Sequence, residues 1–376
     1  MEKFYRIHPQ DNVAVAIEPL AEGAVLNFDG KRITVKTAIP AGHKIALVDI
    51  AKGANVIKYG FPIGTATTAI PAGAWVHTHN VHSKLGNLLE YTYKPVAEVN
   101  KKAAADLNLP NTFLGYARED GWVGIRNEVW IIPTVGCVNS IARAIEQQSQ
   151  KFLQPNIDGI YAYSHPFGCS QLGDDHLHTQ KILSGLVHNH NAGAVLVLGL
   201  GCENNQISQM KEIIGSCPEG RVRYLICQDE EDEIASGVAI VKELCQYAAQ
   251  FKRTEQSVAK LVLGLKCGGS DGFSGITANP LLGWVADSLI AAGGTAILSE
   301  VPEMFGAETM LMNRCRDKET FAKTVNLINN FKKYFQSYGE KINENPSPGN
   351  KAGGITTLED KSLGCVQKGG KAIVED

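Results

Sequence analysis

The sequence lacks an excess of basic residues. Its 36 lysines and arginines are outnumbered by 39 aspartates and glutamates, which leaves a formal net charge of −3. A protein that neutralises the phosphates of DNA or RNA needs a basic surface, and this composition does not supply one. We therefore expect no nucleic-acid partner.

Long apolar runs are also missing. No stretch approaches the roughly 18 unbroken apolar residues that a membrane-spanning helix needs, so we expect no membrane partner. The opening residues, MEKFYRIHPQDN, lack the apolar run of a signal peptide, which favours a cytoplasmic protein. With 376 residues, 44% of them hydrophobic, the chain is long enough for two or three domains, and we expect a homo-oligomer.

Closely spaced cysteine pairs are absent, although the chain has nine cysteines. In a protein without a secretion signal this number does not indicate a disulfide framework. Cys217, Cys245 and Cys315 fall within or near helical patterns, and we interpret them as small buried side chains. Five others stand beside glycine and need a separate explanation: Cys137, Cys169, Cys202, Cys267 and Cys365.

The first part of the chain has the pattern of a small β domain. Short apolar runs such as NVAVAIEPL and KIALVDI alternate with turn signals, and the tetrapeptide IPAG occurs twice. We expect this domain to cover residues 1–92. A polar segment with two prolines follows and predicts a linker over residues 93–112.

From about residue 113 the pattern changes to strands alternating with helices. Dense apolar runs such as EVWIIP and AVLVLGL are typical of parallel strands that are buried on both faces. Stretches with helical periodicity lie between them, which predicts α/β domains with mostly parallel sheets, over residues 113–255 and 256–376. Polar loops containing cysteine follow several of these strands. Ligands bind beyond the carboxyl ends of such strands, so we expect the functional site there.

Several long phrases resemble the altronate and galactarate dehydratase family. They include DIAKGANVIKYGFPIG, SHPFGCSQLGDDH, GAVLVLGLGCENNQ, LKCGGSDGFSGITANPLLG, EVPEMFGAE and ENPSPGNKAGGITTLEDKSLGC, and they cover nearly the whole chain. The resemblance implies that the N-terminal domain is a β-clip of the SAF type. Members of the family continue past the last residue here, so we expect this chain to lack a C-terminal segment.

The resemblance also implies an activity. It is that of a hydro-lyase that removes water from D-altronate to give 2-dehydro-3-deoxy-D-gluconate, in the cytoplasmic breakdown of hexuronates. The family uses a divalent metal, usually Fe²⁺, with Mn²⁺ as a further candidate. Two alternatives stay open, which are galactarate as the substrate and a truncated fragment that binds sugar acids without activity.

The stretch KCGGSDGFSGITANP combines glycines with small polar side chains. Such a loop lets backbone approach an extended substrate, and its side chains can bind hydroxyl groups. A glycine-rich structural turn around a buried thiol is the other interpretation. The candidate substrate-binding residues of this loop are Ser270, Asp271, Ser274, Thr277 and Asn279.

A second loop repeats this composition, and we expect Lys351, Thr356 and Thr357 to line the opposite wall, unless the loop is simply solvated. Arg126 can clamp a carboxylate with two hydrogen bonds, but a structural ion pair is an equal alternative. These four residues complete the predicted substrate site.

Loss of water beside a carboxylate needs a general base and a general acid, and a cation stabilises the enediolate that forms. Lys266 is a candidate base or a partner of the substrate carboxylate. Glu300 and Glu203 are further acid or base candidates at strand ends, although Glu300 can equally pair with a nearby arginine. We take Lys266, Glu300 and His165 as the predicted catalytic residues.

The candidate metal ligands are histidines and a cysteine. His77 and His79 stand two apart, so on a strand both point to one face, and imidazole suits iron. Surface histidines at a strand end are an equal alternative. Cys169, with His165 near it, can add a ligand. Cys137, Cys169, Cys202 and Cys267 leave an iron–sulfur cluster open as another cofactor, although no C-x2-C spacing supports one.

Overall fold

The computed structural model describes residues 3–86, 88–96 and 110–376. The chain forms two compact units, Met1–Leu109 with Leu261–Asp376, and Pro110–Lys260. We call them the terminal unit and the central unit. The domain limits predicted from the sequence stay a prediction, and most of the predicted linker, residues 97–109, lies outside the described residues.

The N-terminal part of the terminal unit is a small β domain. Its strands pair antiparallel into three sheets, with orders β1-β2-β5-β8, β6-β7-β9 and β3-β4. The short apolar segments and the glycine turns between them explain why the strands are short. The strands are β1 (Phe4–Tyr5), β2 (Val13–Ala16), β3 (Val25–Phe28), β4 (Lys31–Thr34), β5 (Lys44–Ala46), β6 (Asn55–Lys58), β7 (Phe61–Ala66), β8 (Trp75–Val76) and β9 (Val81–His82).

The central unit contains two sheets and four helices. Its strands are β10 (Thr112–Ala117), β11 (Val123–Gly124), β12 (Glu128–Pro133), β13 (Gly159–Ala162), β14 (Ala192–Gly199), β15 (Val222–Ile226) and β16 (Arg253–Ser257). Its helices are α1 (Asn139–Ser149), α2 (Gly173–Val187), α3 (Ile207–Ile214) and α4 (Glu233–Ala248).

The larger sheet of the central unit is parallel, in the order β13-β12-β14-β15. All eight residues of β14 are buried. Leu196 and Leu198 belong to the core on one face of the sheet, whereas Val195 and Val197 belong to the core on the other. This explains the unbroken apolar run in the sequence. The smaller sheet, β11-β10-β16, is antiparallel.

The C-terminal part of the terminal unit adds two parallel strands and five helices. The strands are β17 (Val262–Leu265) and β18 (Thr295–Leu298). The helices are α5 (Ala278–Ala291), α6 (Glu308–Met312), α7 (Lys318–Ser337), α8 (Pro348–Ala352) and α9 (Leu358–Cys365).

One hydrophobic core joins the two parts of the terminal unit. Val56 and Ile63 of the β domain pack in the same cluster as Phe305, Ile328 and Leu358. Each of these fully buried side chains contributes about 1.5–3 kcal/mol to stability. The β domain is thereby held against the C-terminal part, and their polar residues meet at the edge of this core.

The predicted fold class is confirmed, since a β domain precedes α/β structure with mostly parallel sheets. In the described part of the chain, no helix is both long enough and apolar enough to cross a bilayer.

Candidate functional site

Helix α9 lies entirely inside the terminal unit, although half of its residues are polar. All eight of its residues are buried, and Glu359, Asp360 and Lys361 follow one another within it. Charged groups in such a place need partners, because an unpaired buried charge costs several kcal/mol. The partners come from the β domain and from the loops around the helix.

Asp360 joins two buried lysines of the β domain. Its carboxylate accepts hydrogen bonds from Lys44 Nζ at 2.8 Å and from Lys58 Nζ at 2.9 Å. It also accepts one from the backbone N–H of Thr356 at 3.0 Å. The side chains of Lys44 and Asp360 are 0% exposed, and that of Lys58 is 2% exposed. Three distant segments are therefore tied together by charge.

The two lysines respond differently to this burial. Loss of hydration lowers the pKa of Lys44 to about 8, despite the attraction of Asp360. Burial alone would also lower the pKa of Lys58, but the charges of Asp360 and Tyr59 and the hydrogen bonds to them together outweigh burial and raise that pKa. The pKa of Asp360 is lowered, because the two ammonium groups outweigh its own burial. Asp360 and Lys58 are thus ionised at neutral pH.

A small recess opens beside this charged group. It contains about 10 Å³ of open space, roughly what one water molecule needs, so a larger ligand requires the recess to widen. We call it the lysine recess. It is lined by Lys58, Tyr59, Ser270, Asp271, Ser274, Gly275, Asn279, Ile355, Asp360, Lys361, Gly364 and Cys365.

Four predicted substrate-binding residues line the lysine recess: Ser270, Asp271, Ser274 and Asn279. Asp271 has a structural role as well, since its Oδ1 accepts hydrogen bonds from the N–H groups of Phe273 and Ser274 and from the Ser274 hydroxyl. The polar loop thus holds its own shape and presents hydroxyl and amide groups to the recess.

Close backbone contact explains a glycine of this loop. A Cβ on Gly272 would lie 1.8 Å from the carbonyl oxygen of Gly42, in the β domain. The N–H of Gly272 also donates to the carbonyl of Gly353 at 2.7 Å. Only glycine allows three chain segments to meet this closely.

Ser270 connects two thiols. Its hydroxyl lies 2.9 Å from Cys267 Sγ and 3.9 Å from Cys365 Sγ. Burial, followed by the nearby charge of Glu303, raises the pKa of Cys365 to about 12, so this thiol keeps its proton at neutral pH. Cys365 therefore lines the recess as an uncharged thiol and is not a nucleophile.

A second hollow also has Cys365 in its lining. We call it the glutamate recess, and its open space is about 10 Å³. It is lined by Leu265, Leu298, Ser299, Glu300, Glu303, Met304, Cys365, Val366 and Lys368. Two predicted catalytic residues meet at its edge, since Lys266 Nζ lies 3.7 Å from Glu300 Oε1. Lys266 is 75% exposed.

Glu300 is held as an anion. It accepts hydrogen bonds from the N–H of Cys267 and from Lys368 Nζ, the latter at 3.2 Å. Burial alone would raise the pKa of Glu300, but these two groups and Lys266 lower it. The carboxylate is therefore free of a proton at neutral pH, which suits a base better than an acid.

The other predicted substrate-binding residues of the terminal unit do not line the lysine recess. Thr357 is the N-cap of α9 and accepts from the N–H of Asp360 at 3.2 Å. The Thr356 hydroxyl lies 3.3 Å from His77 Nδ1. The Thr277 hydroxyl donates to the Phe273 carbonyl at 2.9 Å. Lys351 lies in the short helix α8 and does not line either recess.

The predicted histidine pair is not on a strand. Strand β8 ends at Val76, and a turn follows in which Asn80 Oδ1 accepts from the N–H of His77. His77 stacks on Trp75, with ring centroids 5.7 Å apart. Burial, followed by the charge of Lys44, lowers the pKa of His77 to about 4, so it is neutral at pH 7.

The remaining predicted residues lie in the central unit. Arg126 forms an ion pair with Glu128 at the amino end of β12. This contact is the structural ion pair that was the alternative to carboxylate binding. His165 donates from Nε2 to the Pro133 carbonyl at 2.7 Å, and its Nδ1 accepts from the N–H of Phe167 at 3.2 Å. Glu203 is buried and accepts from Thr134 Oγ1 at 2.7 Å.

Three cysteines of the central unit lie at one edge of the parallel sheet. Cys137, Cys169 and Cys202 follow β12, β13 and β14, and all three are exposed. Loss of hydration and then the neighbouring thiols of Cys169 and Cys202 raise the pKa of Cys137. Within residues 3–86, 88–96 and 110–376, however, no three His, Cys, Asp or Glu side chains are placed to hold a single metal ion.

Sequence reasoning missed the buried charges of the terminal unit. Successive strand residues point to opposite faces, so Lys58 shares the buried face of Val56 in β6. A lysine at an apolar position of a strand was the signal that could have revealed it. Asp360 lies in the first turn of the helix that Thr357 caps, where exposed acidic residues are common, so it carried no such signal. Nothing in the sequence paired these residues with one another, because more than 300 positions separate Lys58 from Asp360.

Three family models match the chain in succession. The altronate/galactarate dehydratase SAF domain matches residues 2–84. The second domain of D-galactarate dehydratase/altronate hydrolase matches residues 115–249, and the C-terminal domain of D-galactarate/altronate dehydratase matches residues 258–376.

Curated relatives match over the whole chain. It is 51% identical to altronate dehydratase of Escherichia coli (strain K12) and 50% identical to altronate dehydratase of Bacillus subtilis (strain 168), each match covering 100% of this chain and 75% of the relative. It is 32% identical to galactarate dehydratase (L-threo-forming) of Escherichia coli, over 99% of this chain and 73% of that protein. With its SAF domain, its second domain and its C-terminal domain in this order, the chain belongs to the altronate/galactarate dehydratase family of hydro-lyases.

Proposed function

We propose that the chain dehydrates D-altronate to 2-dehydro-3-deoxy-D-gluconate, a step in hexuronate breakdown. We propose that it does so in the cytoplasm, as a homo-oligomer. The observation that carries this proposal is the identity of about 50% to two altronate dehydratases along the full chain. The polar recesses of the terminal unit support it, since they offer cations and hydroxyl groups to a small polyhydroxy anion.

The lysine recess is proposed as the binding subsite. Lys58 and Lys361 present ammonium groups, and Ser270, Ser274 and Asn279 present hydroxyl and amide groups. These donors match a sugar acid, which has one carboxylate and several hydroxyls.

The lysine recess supplies no base. Lys58, Tyr59 and Cys365 all have raised pKa values, so each keeps its proton at neutral pH. Asp360 has a lowered pKa, but both of its oxygens are bound to buried lysines. The proton-transfer groups must therefore come from its surroundings.

Glu300 and Lys266 are the proposed proton-transfer pair. Glu300 Oε1 takes the proton from C2 of the substrate, and the negative charge that develops faces the ammonium groups of Lys266 and Lys368. Lys266 then gives a proton to the hydroxyl leaving C3, so water departs. The resulting enol becomes the 2-keto acid, and one water is lost for each altronate consumed.

A divalent cation, Fe²⁺ or Mn²⁺, stays a prediction from the family resemblance. Its predicted ligands His77, His79 and Cys169 are divided between the terminal and the central unit. Because no single-ion site was found in the described part of the chain, no step is assigned to the metal.

The test is an anaerobic assay of the purified chain with D-altronate and galactarate side by side. Product is detected as the 2-keto acid that has lost one water. We expect turnover of altronate, and Glu300→Gln should lower kcat by about 10²- to 10⁴-fold with little change in KM, because general-base catalysis contributes a factor of that size. Asn279→Ala should mainly raise KM. Glu319→Gln, at an exposed helix position of the same unit, is the control.

Two outcomes would favour the alternatives. A strong preference for galactarate would reverse the choice of substrate. Calorimetric binding of altronate without any keto product would indicate a sugar-acid-binding protein without activity. An active Glu300→Gln variant would leave the substrate in place but remove Glu300 from the mechanism.

A further inference from the structure

A buried lysine stands at the glutamate recess, in the short 3-10 turn Val366–Gly369 that follows α9. The side chain of Lys368 is 4% exposed, although lysine is almost never fully buried unless it is paired. Its ammonium group donates a hydrogen bond to Glu300 Oε2 at 3.2 Å, and within the described part of the chain it has no other acceptor. Taking a cation out of water is costly, so a buried ion pair of this kind is weak evidence for stability and points to another role.

The backbone on either side of Lys368 is fixed by two close approaches. A Cβ on Gly283, in α5, would lie 2.1 Å from the carbonyl oxygen of Gln367. A Cβ on Gly369 would lie 2.9 Å from Leu298 Cδ1, in β18. Only glycine lets α5 and β18 come this close to the segment that carries the lysine. The ammonium group is therefore presented from a fixed backbone position.

The two carboxylate oxygens of Glu300 have different surroundings. Oε2 accepts hydrogen bonds from Lys368 Nζ and from the backbone N–H of Cys267. Oε1 lies 3.7 Å from Lys266 Nζ, at the end of a side chain that is 75% exposed. Oε2 is thus held by buried groups, whereas Oε1 stands beside a side chain that is open to solvent. Holding the first oxygen fixes the direction of the second.

A fixed direction matters for proton abstraction. A general base must direct a lone pair at the proton that it removes, and a misplacement of about 1 Å can lower the rate about 100-fold. With the Cys267 N–H as its single donor, the Glu300 carboxylate could turn about that hydrogen bond. The second bond, from the charged Lys368, removes this freedom and is stronger than a bond between neutral groups.

We propose that Lys368 is the positioning residue for Glu300, whose Oε2 it holds so that Oε1 is directed at the proton on C2 of the sugar acid. In this role Lys368 acts through Glu300 and does not itself bind the substrate. The inference rests on the proposed function, because it takes Glu300 as the base.

The same contact affects the charge of Glu300. Burial raises the pKa of Glu300, whereas the N–H of Cys267, the ammonium group of Lys368 and that of Lys266 lower it. Loss of the Lys368 charge should therefore raise this pKa. Since a base must be free of a proton, the fall of kcat on the acid side should then begin at a higher pH.

The experiment measures kcat and KM for D-altronate across pH, in the full chain and in its Lys368→Met variant, both purified without oxygen. At the pH where the wild type is fastest, Lys368→Met should lower kcat about 10- to 100-fold. KM should change by less than about twofold, because the residue does not bind the substrate. The acid limb of the kcat profile should move to higher pH. Lys368→Arg keeps the cation, so it should recover part of kcat and keep the acid limb of the wild type.

Lys332→Met is the matched control. Lys332 is also buried, at 0% exposure, and donates to Glu308 Oε1 at 2.5 Å, but neither residue lines a recess. This variant removes a buried lysine from a glutamate of the same unit without touching Glu300, so its kcat should stay within about twofold of the wild type. Circular dichroism and thermal unfolding show whether each variant folds. Lys368→Gln replaces Lys368→Met if the latter does not fold, and it should move the acid limb in the same direction.

A titration without substrate separates this inference from the proposed function. Glutamate labelled with ¹³C at its carboxyl carbon reports each ionisation by NMR, and the signal that is missing in Glu300→Gln identifies Glu300. Its midpoint should lie at a higher pH in Lys368→Met than in the wild type. If the wild type did not turn over altronate, the proposed function would fail, and this titration alone would decide whether Lys368 holds Glu300. A raised midpoint supports that contact and an unchanged one overturns it.

Two results with an active wild type would overturn the inference. One is a folded Lys368→Met variant that keeps the kcat and the acid limb of the wild type. The other is an equal loss of kcat in Lys332→Met, which would show that a buried lysine of this unit affects activity through stability alone.

Discussion

Replacing Asp360 by asparagine should destabilise the terminal unit strongly. The change removes one negative charge and leaves Lys44 and Lys58 buried without a counter-ion, at 0% and 2% exposure. It also weakens the acceptor for the Thr356 N–H. Breaking a buried ion pair by removing one partner costs about 3–5 kcal/mol, and two lysines lose their partner here. We expect a loss of at least that size in the free energy of unfolding.

Urea unfolding followed by circular dichroism measures this loss. Hydrogen exchange with mass spectrometry, on peptides that cover α9, assigns it to the terminal unit. Glu319→Gln is the matched control, because its pair with Lys323 is exposed at 3.9 Å and should contribute less than about 0.5 kcal/mol.

A second variant separates charge from packing. Lys44→Met should cost less than Asp360→Asn, since burial already lowers the pKa of Lys44 to about 8 and the Lys58–Asp360 pair stays intact. In the double variant, Lys44→Met should restore part of the loss by removing one unpaired cation. If Asp360→Asn unfolded at the same urea concentration as Glu319→Gln, the account of this buried charge cluster would be wrong.

Two further predictions concern pH and backbone. The pKa of His77 is lowered to about 4 in the folded protein, against about 6.5 in an unfolded chain. Between these two pH values the unfolded state binds more protons than the folded state. The stability of the protein therefore falls as pH drops from about 6.5 to about 4. His77→Gln should therefore reduce the difference in urea midpoint between about pH 7 and pH 4.5, and an unchanged difference would contradict the shift. Gly168→Ala should destabilise the central unit, because Gly168 has a positive φ and a Cβ there would lie 2.2 Å from the carbonyl oxygen of Thr134. Gly185 lies in the exposed part of α2, and a Cβ there would have no atom near it. Gly185→Ala should therefore stabilise the central unit by roughly 0.5–1 kcal/mol. Equal thermal midpoints for these two alanine variants would speak against the glycine argument.

Much of the architecture could be predicted from the sequence. Strand β12 matches the apolar run at 128–133, and β14 covers nearly all of the run at 194–200. These segments are buried on both faces, so an unbroken run of apolar residues indicates a strand in the middle of a covered sheet. The antiparallel pair β10 and β16 was not predicted, since β16 (Arg253–Ser257) is mostly exposed and polar and its pairing depends on a distant strand.

The site was harder to predict because its residues meet only through tertiary structure. The glycine-rich loop suggested Ser270 and Asn279, which do line a recess, and the strand ends suggested Lys266 and Glu300, which do lie together. Lys58 and Asp360 were missed, since a charge in a strand or helix normally indicates an exposed face. His77 and His79 were expected on a strand, but the side chain of Asn80 turns the backbone after Val76.

The contact of Lys58 with Asp360 also has a consequence for synthesis on the ribosome. The two residues are 302 positions apart, so at about 5–20 residues per second the lysine is made roughly 15–60 s before its counter-ion. During that interval the newborn β domain carries two cations, Lys44 and Lys58, at a surface that is still wet and uncovered, where hydration stabilises them. Their dehydration is delayed until the arriving α9 brings the carboxylate with it, so a segment made late completes the burial of side chains made early.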